Sequence, residues 1–154
     1  MSVIRRTLAI LLGMFMFTAL LGGLPTRHSG QHAEAATTQQ QRLRAVTVAL
    51  AQRGDPYRLG ATGPNAFDCS GLTMFSYRRV GRSIPRTTDQ QKAGLRAVPK
   101  SAKRRGDIIL FVNGGNAYHA ALYLGMNKIV HASRTGTPVK VDRIWTSSYV
   151  VRRP

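Results

Sequence analysis

The chain has 154 residues, with 23 Lys and Arg against 6 Asp and Glu, a formal net charge of +17, and one cysteine. A single cysteine excludes any internal disulfide, and so basic a surface draws polyanions rather than cations. The basic residues are scattered and do not interleave with aromatics on one helix face, which argues against specific nucleic-acid recognition.

The chain opens with an export pattern. Arg5 and Arg6 precede an apolar run over residues 7–24, and Ala33-Glu34-Ala35 supplies a small-residue cleavage site. This reads as a secretory signal peptide over residues 1–35. The expected product is secreted or held in the cell envelope, touching membrane only through this segment where it stays uncleaved. Residues 36–41 are polar and read as a short disordered lead-in. One domain is expected over residues 42–154, a length that supports a core without staples.

Helical spacing of Leu43, Val46 and Leu50 predicts a first helix from Gln41 to Gln52, stopped by Gly54. A loop then runs to Asp68. A second helix is expected from Cys69 to about Val80, with Leu72, Met74 and Phe75 buried. Thr87 or Thr88 is placed to cap a short third helix ending near Gly94. After Gly106 the period becomes strand-like. Short strands are expected near residues 107–112, 117–124, 128–133, 138–142 and 149–152, with Asn113-Gly114-Gly115-Asn116 as a turn. Helices followed by an antiparallel sheet make an α+β fold.

The chemistry centres on Cys69. A thiol in the first turn of a helix meets unpaired N–H groups and the positive end of the helix dipole, and both favour thiolate. His119 and His131 fall on consecutive strands. A loop at Gly125-Met126-Asn127 makes them diagonal neighbours on one face, a separation of roughly 7–8 Å at Cα. If that face packs under the Cys69 helix, His119 serves as base and His131 orients it. A buried inert cysteine with two bland histidines is the plain alternative. Zinc on Cys69, His119 and His131 is weaker, because no closely spaced ligand pair is present.

Several blocks of the sequence resemble the NlpC/P60 cysteine peptidases, which hydrolyse peptidoglycan stem peptides. They are Asp55-Pro56-Tyr57 with Gly60, then the run from Gly63 through Asp68-Cys69-Ser70-Gly71-Leu72, then Pro85-Arg86-Thr87-Thr88-Asp89-Gln90-Gln91. Gly106-Asp107-Ile108-Ile109-Leu110-Phe111, His119-Ala120-Ala121-Leu122-Tyr123-Leu124-Gly125 and Ile129-Val130-His131-Ala132 follow in the family's order. The resemblance implies a papain-like fold, with N-terminal helices packed on a C-terminal antiparallel sheet. It implies Cys69 as nucleophile, His119 as base and His131 as orienting residue, with no cofactor and no metal. It also implies cleavage between D-glutamate and a diamino acid, with Tyr57, Asp68 and Ser70 shaping the substrate site. Asp68 and Ser70 can equally be plain helix caps, and Tyr57 plain packing. Leu59 and Ala61 depart from the family's pattern in the loop, as do Arg105 before Gly106 and Ala120-Ala121 after His119.

The expected partners are peptidoglycan stem peptides and, through the basic surface, anionic wall polymers, with the protein acting as a monomer. Two other readings stand beside this one. The chain could be a non-catalytic cationic wall-binding domain, or an amidase or acyltransferase using the same thiol.

Overall fold

The computed structural model describes residues 27–154; the apolar run of the export signal lies outside the described residues. Three helices, α1 (Arg27–Ala51), α2 (Cys69–Arg78) and α3 (Thr88–Gly94), precede most of the sheet. Its strands are β1 (Arg96–Val98), β2 (Ile108–Asn113), β3 (Asn116–Gly125), β4 (Lys128–His131), β5 (Lys140–Arg143) and β6 (Tyr149–Arg153). They lie in the order β1-β6-β2-β3-β4-β5, every neighbouring pair antiparallel. The expected α+β class is the observed one. Among the described residues no helix is long and apolar enough to cross a membrane.

Two expectations about α1 need correcting. Residues 36–41 are helical, not a disordered lead-in. Alanine and glutamine, four of these six residues, are good helix formers, and Gln41 ties its side chain to the Val80 carbonyl at 3.3 Å. The buried stripe is also rotated. Ala45, Val46 and Ala49 are fully buried, whereas Leu43 is 41% exposed. Small alanines let the helix approach α2 closely, so volume rather than hydrophobicity selects the face. Strand β1 was not anticipated; two of its three residues are exposed, so it carries no apolar pattern.

The sheet has an apolar cluster on each face. Ile108, Leu110, Ala120, Leu122 and Val130 meet α1 and α2. Ile109, Phe111, Ala121, Tyr123, Ile129, Tyr149 and Val151 form the other face. Two motifs of the sequence lock the layers together. Gly106 offers its carbonyl to the hydroxyl of buried Tyr77 on α2. Asp107, fully buried, accepts the Arg153 guanidinium through both oxygens at 2.6 Å, which fastens the end of β6.

The segment between α1 and α2 is knitted by main-chain bonds. Gly54 N–H donates to the Val139 carbonyl, Tyr57 to Thr137, Phe67 to Pro56 and Asp68 to Ala61. Phe67 is fully buried and meets Phe75 edge-on at 5.1 Å, pinning the loop to α2. Gly71 completes the fit, because a Cβ there would lie 2.1 Å from the Ala61 carbonyl oxygen. Gly71→Ala is therefore expected to lower stability by about 3 kcal/mol or more, read as a fall in the urea midpoint; a stability equal to the native chain's would refute the close approach.

Candidate active site

Asp68 starts the site. Its backbone is extended, with φ −93° and ψ 176°, and its side chain caps α2 by accepting from Gly71 N–H at 2.6 Å. The same carboxylate accepts from Gly60 N–H at 2.9 Å and from both terminal nitrogens of Arg86, at 3.1 and 2.5 Å. Ser70 Oγ donates to it at 3.4 Å and accepts from Arg86 at 2.9 Å. Asp68 and Ser70 are thus engaged within the loop. The capping role open to them in the sequence is the one they fill here. Of the three expected substrate-binding residues, Tyr57 alone has a polar group free of hydrogen bonds among the described residues.

Helix α3 braces this corner from below. Thr87 and Gln90 form a reciprocal capping box at its start. Gln91, fully buried, accepts from Thr73 and donates to the carbonyls of Ser70 and Pro85. Thr88 and Asp89 clasp the main chain of Ala117, two residues before His119. The Pro85–Gln91 segment therefore couples the thiol helix to the strand that bears His119, a role its composition does not announce.

Cys69 is the free cysteine, partly exposed at the N-terminus of α2. It lines a cleft of about 430 Å³ with Tyr57, Leu59, Asp68, Ser70, Arg86 and Tyr118. The backbone N–H groups of Ala120, Ser70 and Cys69 itself lie near the sulfur and favour its ionised form. The β3–β4 ladder ends at Leu122 paired with Val130, so Ala120 lies just beyond it. The thiol meets β3 at the residue following His119.

The two histidines come together as the register predicts. Leu122 pairs with Val130 and Tyr123 with Ile129, which makes His119 and His131 diagonal neighbours. Met126 and Asn127, both at positive φ, make a two-residue turn between Gly125 and Lys128, and the irregularity between Tyr123 and Gly125 shifts the pairing by one residue to this register. His119 Nε2 lies 2.8 Å from His131 Nδ1. One expectation is corrected here. His119 is the cross-strand partner of Phe111, so both rings sit on the face opposite α1 and α2. Trp145, stacked on Phe111 at 3.9 Å, stands over them, with centroids 5.7 Å from His119 and 5.6 Å from His131. The helix does not cover the rings; its terminus reaches the strand at Ala120. Alternation shows that two residues share a face but not which face the helices take.

A further residue joins them that the sequence reading missed. Asp142 on β5 accepts from His131 Nε2 at 2.9 Å and from Lys140 Nζ at 2.9 Å. His131 pairs with Lys140, so Asp142 is its diagonal neighbour. The link needs the β4–β5 register, which the irregular stretch between the two strands conceals.

Burial governs the charges. It pushes the Cys69 thiol up, the Asp68 carboxylate adds to the rise, and the three N–H groups oppose it. The expected thiolate bias of the helix terminus is present but outweighed. Burial, with His131 beside it, pulls His119 down to about 3. Burial also lowers His131, against the opposing hydrogen bond that it donates to Asp142. For Asp142 itself burial acts upward, but bonds from Lys140 and His131 prevail and hold it below its usual value. At neutral pH the site rests as a thiol, two neutral imidazoles and one carboxylate.

The depressed histidine links stability to pH. His119 binds its proton less readily folded, at about 3, than unfolded, at about 6.5. Its contribution is complete above about pH 6.5 and is lost as pH falls from there towards 3. Denaturant titration should find roughly 2 kcal/mol less stability at pH 5 than at pH 7. His119→Gln should remove most of that difference, and an equal loss in both proteins would count against a neutral buried ring.

Comparison with known proteins agrees with this geometry. The NlpC/P60 family profile matches residues 54–153. A probable endopeptidase of Corynebacterium glutamicum is 45% identical over 111 residues, covering 72% of this chain and 51% of the relative. The chain thus spans about half the length of that relative. Among solved structures, the peptidoglycan hydrolase RipB of Mycobacterium tuberculosis superposes with TM-score 0.68 at 30% identity, over 77% of this chain and 66% of that one. The P60 domain of a Mycobacterium avium subspecies paratuberculosis antigen gives TM-score 0.68 at 29% identity, over 75% of this chain and 96% of that one. With a family profile matched from the loop before Cys69 to the last strand, and with the papain-like arrangement of helices and antiparallel sheet in place, this chain belongs to the NlpC/P60 family.

Proposed function

We propose that the protein is an exported cysteine endopeptidase that hydrolyses peptidoglycan stem peptides, cutting the bond between D-glutamate and a diamino acid. The observation that carries this reading is the Cys69 thiol at the α2 N-terminus, opening into the cleft bordered by Tyr57 and Tyr118 and facing β3 at Ala120, the residue after His119, whose Nε2 lies 2.8 Å from His131 Nδ1. The endopeptidase and peptidoglycan-hydrolase names of its relatives support it. The apolar segment after Arg5 and Arg6 supports export.

The reaction is acyl transfer to water. His119 takes the thiol proton as Cys69 Sγ attacks the scissile carbonyl. Because both groups start neutral, the proton moves with the attack rather than before it. The imidazolium then protonates the leaving amine, the C–N bond breaks, and an acyl-thioester remains. Water attacks that ester, giving its proton to His119, and the thiol is regenerated. The Cys69 N–H, at a helix N-terminus, is one donor to the developing oxyanion, worth on the order of 3 kcal/mol. Tyr57 and Leu59 on one wall and Tyr118 on the other border the cleft that receives the peptide.

The assay is release of new amino groups from purified peptidoglycan by the full chain in mild detergent, with fragment masses identifying the bond. Cys69→Ala and alkylation of the thiol should each abolish release. Alkylation should be slow at neutral pH and quicken as pH rises, because the thiol is held protonated. Release that survives either change would remove Cys69 from the reaction.

The basic surface is proposed to hold the protein on anionic wall polymers. Arg78, Arg79 and Arg82 are exposed together at the C-terminal end of α2, with Lys100, Arg104 and Arg105 exposed around β2. Retention on insoluble wall should fall steeply as salt is raised to roughly 0.5 M, while cleavage of a short soluble stem peptide should change little. Retention indifferent to salt would exclude this electrostatic hold, and retention without any cleavage would favour a pure binding domain.

A further inference from the structure

A file of three side chains crosses three strands on the face opposite the helices. His119 on β3, His131 on β4 and Asp142 on β5 are successive diagonal neighbours, joined at 2.8 and 2.9 Å. His119 and His131 are 6% and 1% exposed, so water competes little for their ring nitrogens. We propose that Asp142 is a positioning residue that sets the tautomers of both histidines, leaving His119 with an unprotonated Nδ1.

An ionised carboxylate only accepts, so His131 Nε2 must carry the hydrogen between it and Asp142. A neutral imidazole has one N–H, so His131 Nδ1 is then an acceptor. His119 Nε2 must donate to it, and His119 Nδ1 keeps its lone pair. That nitrogen has no hydrogen-bond partner among the described residues and is the ring atom left to take the Cys69 proton. The opposite arrangement needs a proton on Asp142. Lys140, which donates to the same carboxylate oxygen, opposes it. The groups that bear on this file are His119, His131, Asp142 and Lys140, with the neutral Phe111 and Trp145 rings packed beside them.

Take Asp142 away and nothing else among the described residues selects the His131 tautomer. The two rings then exchange between donor directions, and one of the two forms puts a proton on His119 Nδ1. A ring in that form cannot act as base. The catalytic consequence rests on the cysteine-peptidase reading; the tautomer assignment does not.

The test uses full chain with 15N-labelled histidine in mild detergent. In the native chain both rings should carry hydrogen on Nε2 alone. In Asp142→Ala, hydrogen should appear on His119 Nδ1. Loss of a group that orients a histidine should lower stem-peptide turnover about tenfold to a hundredfold in kcat with little change in KM. Asp142→Glu should recover both the tautomers and most of the turnover. The proposal is overturned by hydrogen on His131 Nδ1 in the native chain. It is equally overturned by Asp142→Ala rings that match the native ones, whatever happens to turnover. Should the native chain cleave nothing, the peptidase reading fails by itself, and the ring spectra still decide the tautomers.

Discussion

The carboxylate of Asp68 is the interaction on which this architecture depends. It is nearly buried, yet donors from three places converge on it: Gly60 in the loop, Gly71 and Ser70 in the first turn of α2, and Arg86 before α3. A buried charge without partners is costly, and a charge with this many fixed donors is held in one place. By satisfying it, the chain fixes where α2 begins. Since Cys69 is the next residue, the sulfur inherits that position. Ala61 adds a second constraint, because its carbonyl both receives Asp68 N–H and sits against the bare Gly71 backbone.

The sheet supplies the other half of the site by register. The irregularity between Tyr123 and Gly125, just before the Met126-Asn127 turn, decides that His119 and His131 meet, and the β4–β5 pairing decides that Asp142 follows. Each strand contributes one polar side chain to a face otherwise lined by Phe111, Ala121, Ile129 and the overlying Trp145. An apolar surround makes these three polar groups depend on one another for their hydrogen bonds. It also explains why both imidazoles rest neutral.

Much of this was legible in the amino-acid order, for local reasons. Asp68 and Thr87 act through neighbours within a few residues, so the helix starts follow from composition and spacing. What depends on three-dimensional encounter was not legible. Arg86 reaches Asp68 across 18 positions, and Asp142 reaches His131 across an irregular connection. The rotated face of α1 reflects how closely two helices approach, which periodicity does not encode. The helix terminus was expected to favour thiolate, but local N–H groups were outweighed by burial that only the assembled fold imposes.

The protonated state of the sulfur has a consequence for durability. Thiolate, not thiol, attacks peroxides and disulfides and binds soft metal ions. With Cys69 largely sheltered and burial favouring its protonated form, the resting molecule offers such reagents little to react with. On the proposed reading of an exported hydrolase, an unpaired cysteine thus persists in oxidising surroundings, its nucleophilicity released by the substrate rather than kept on standing display.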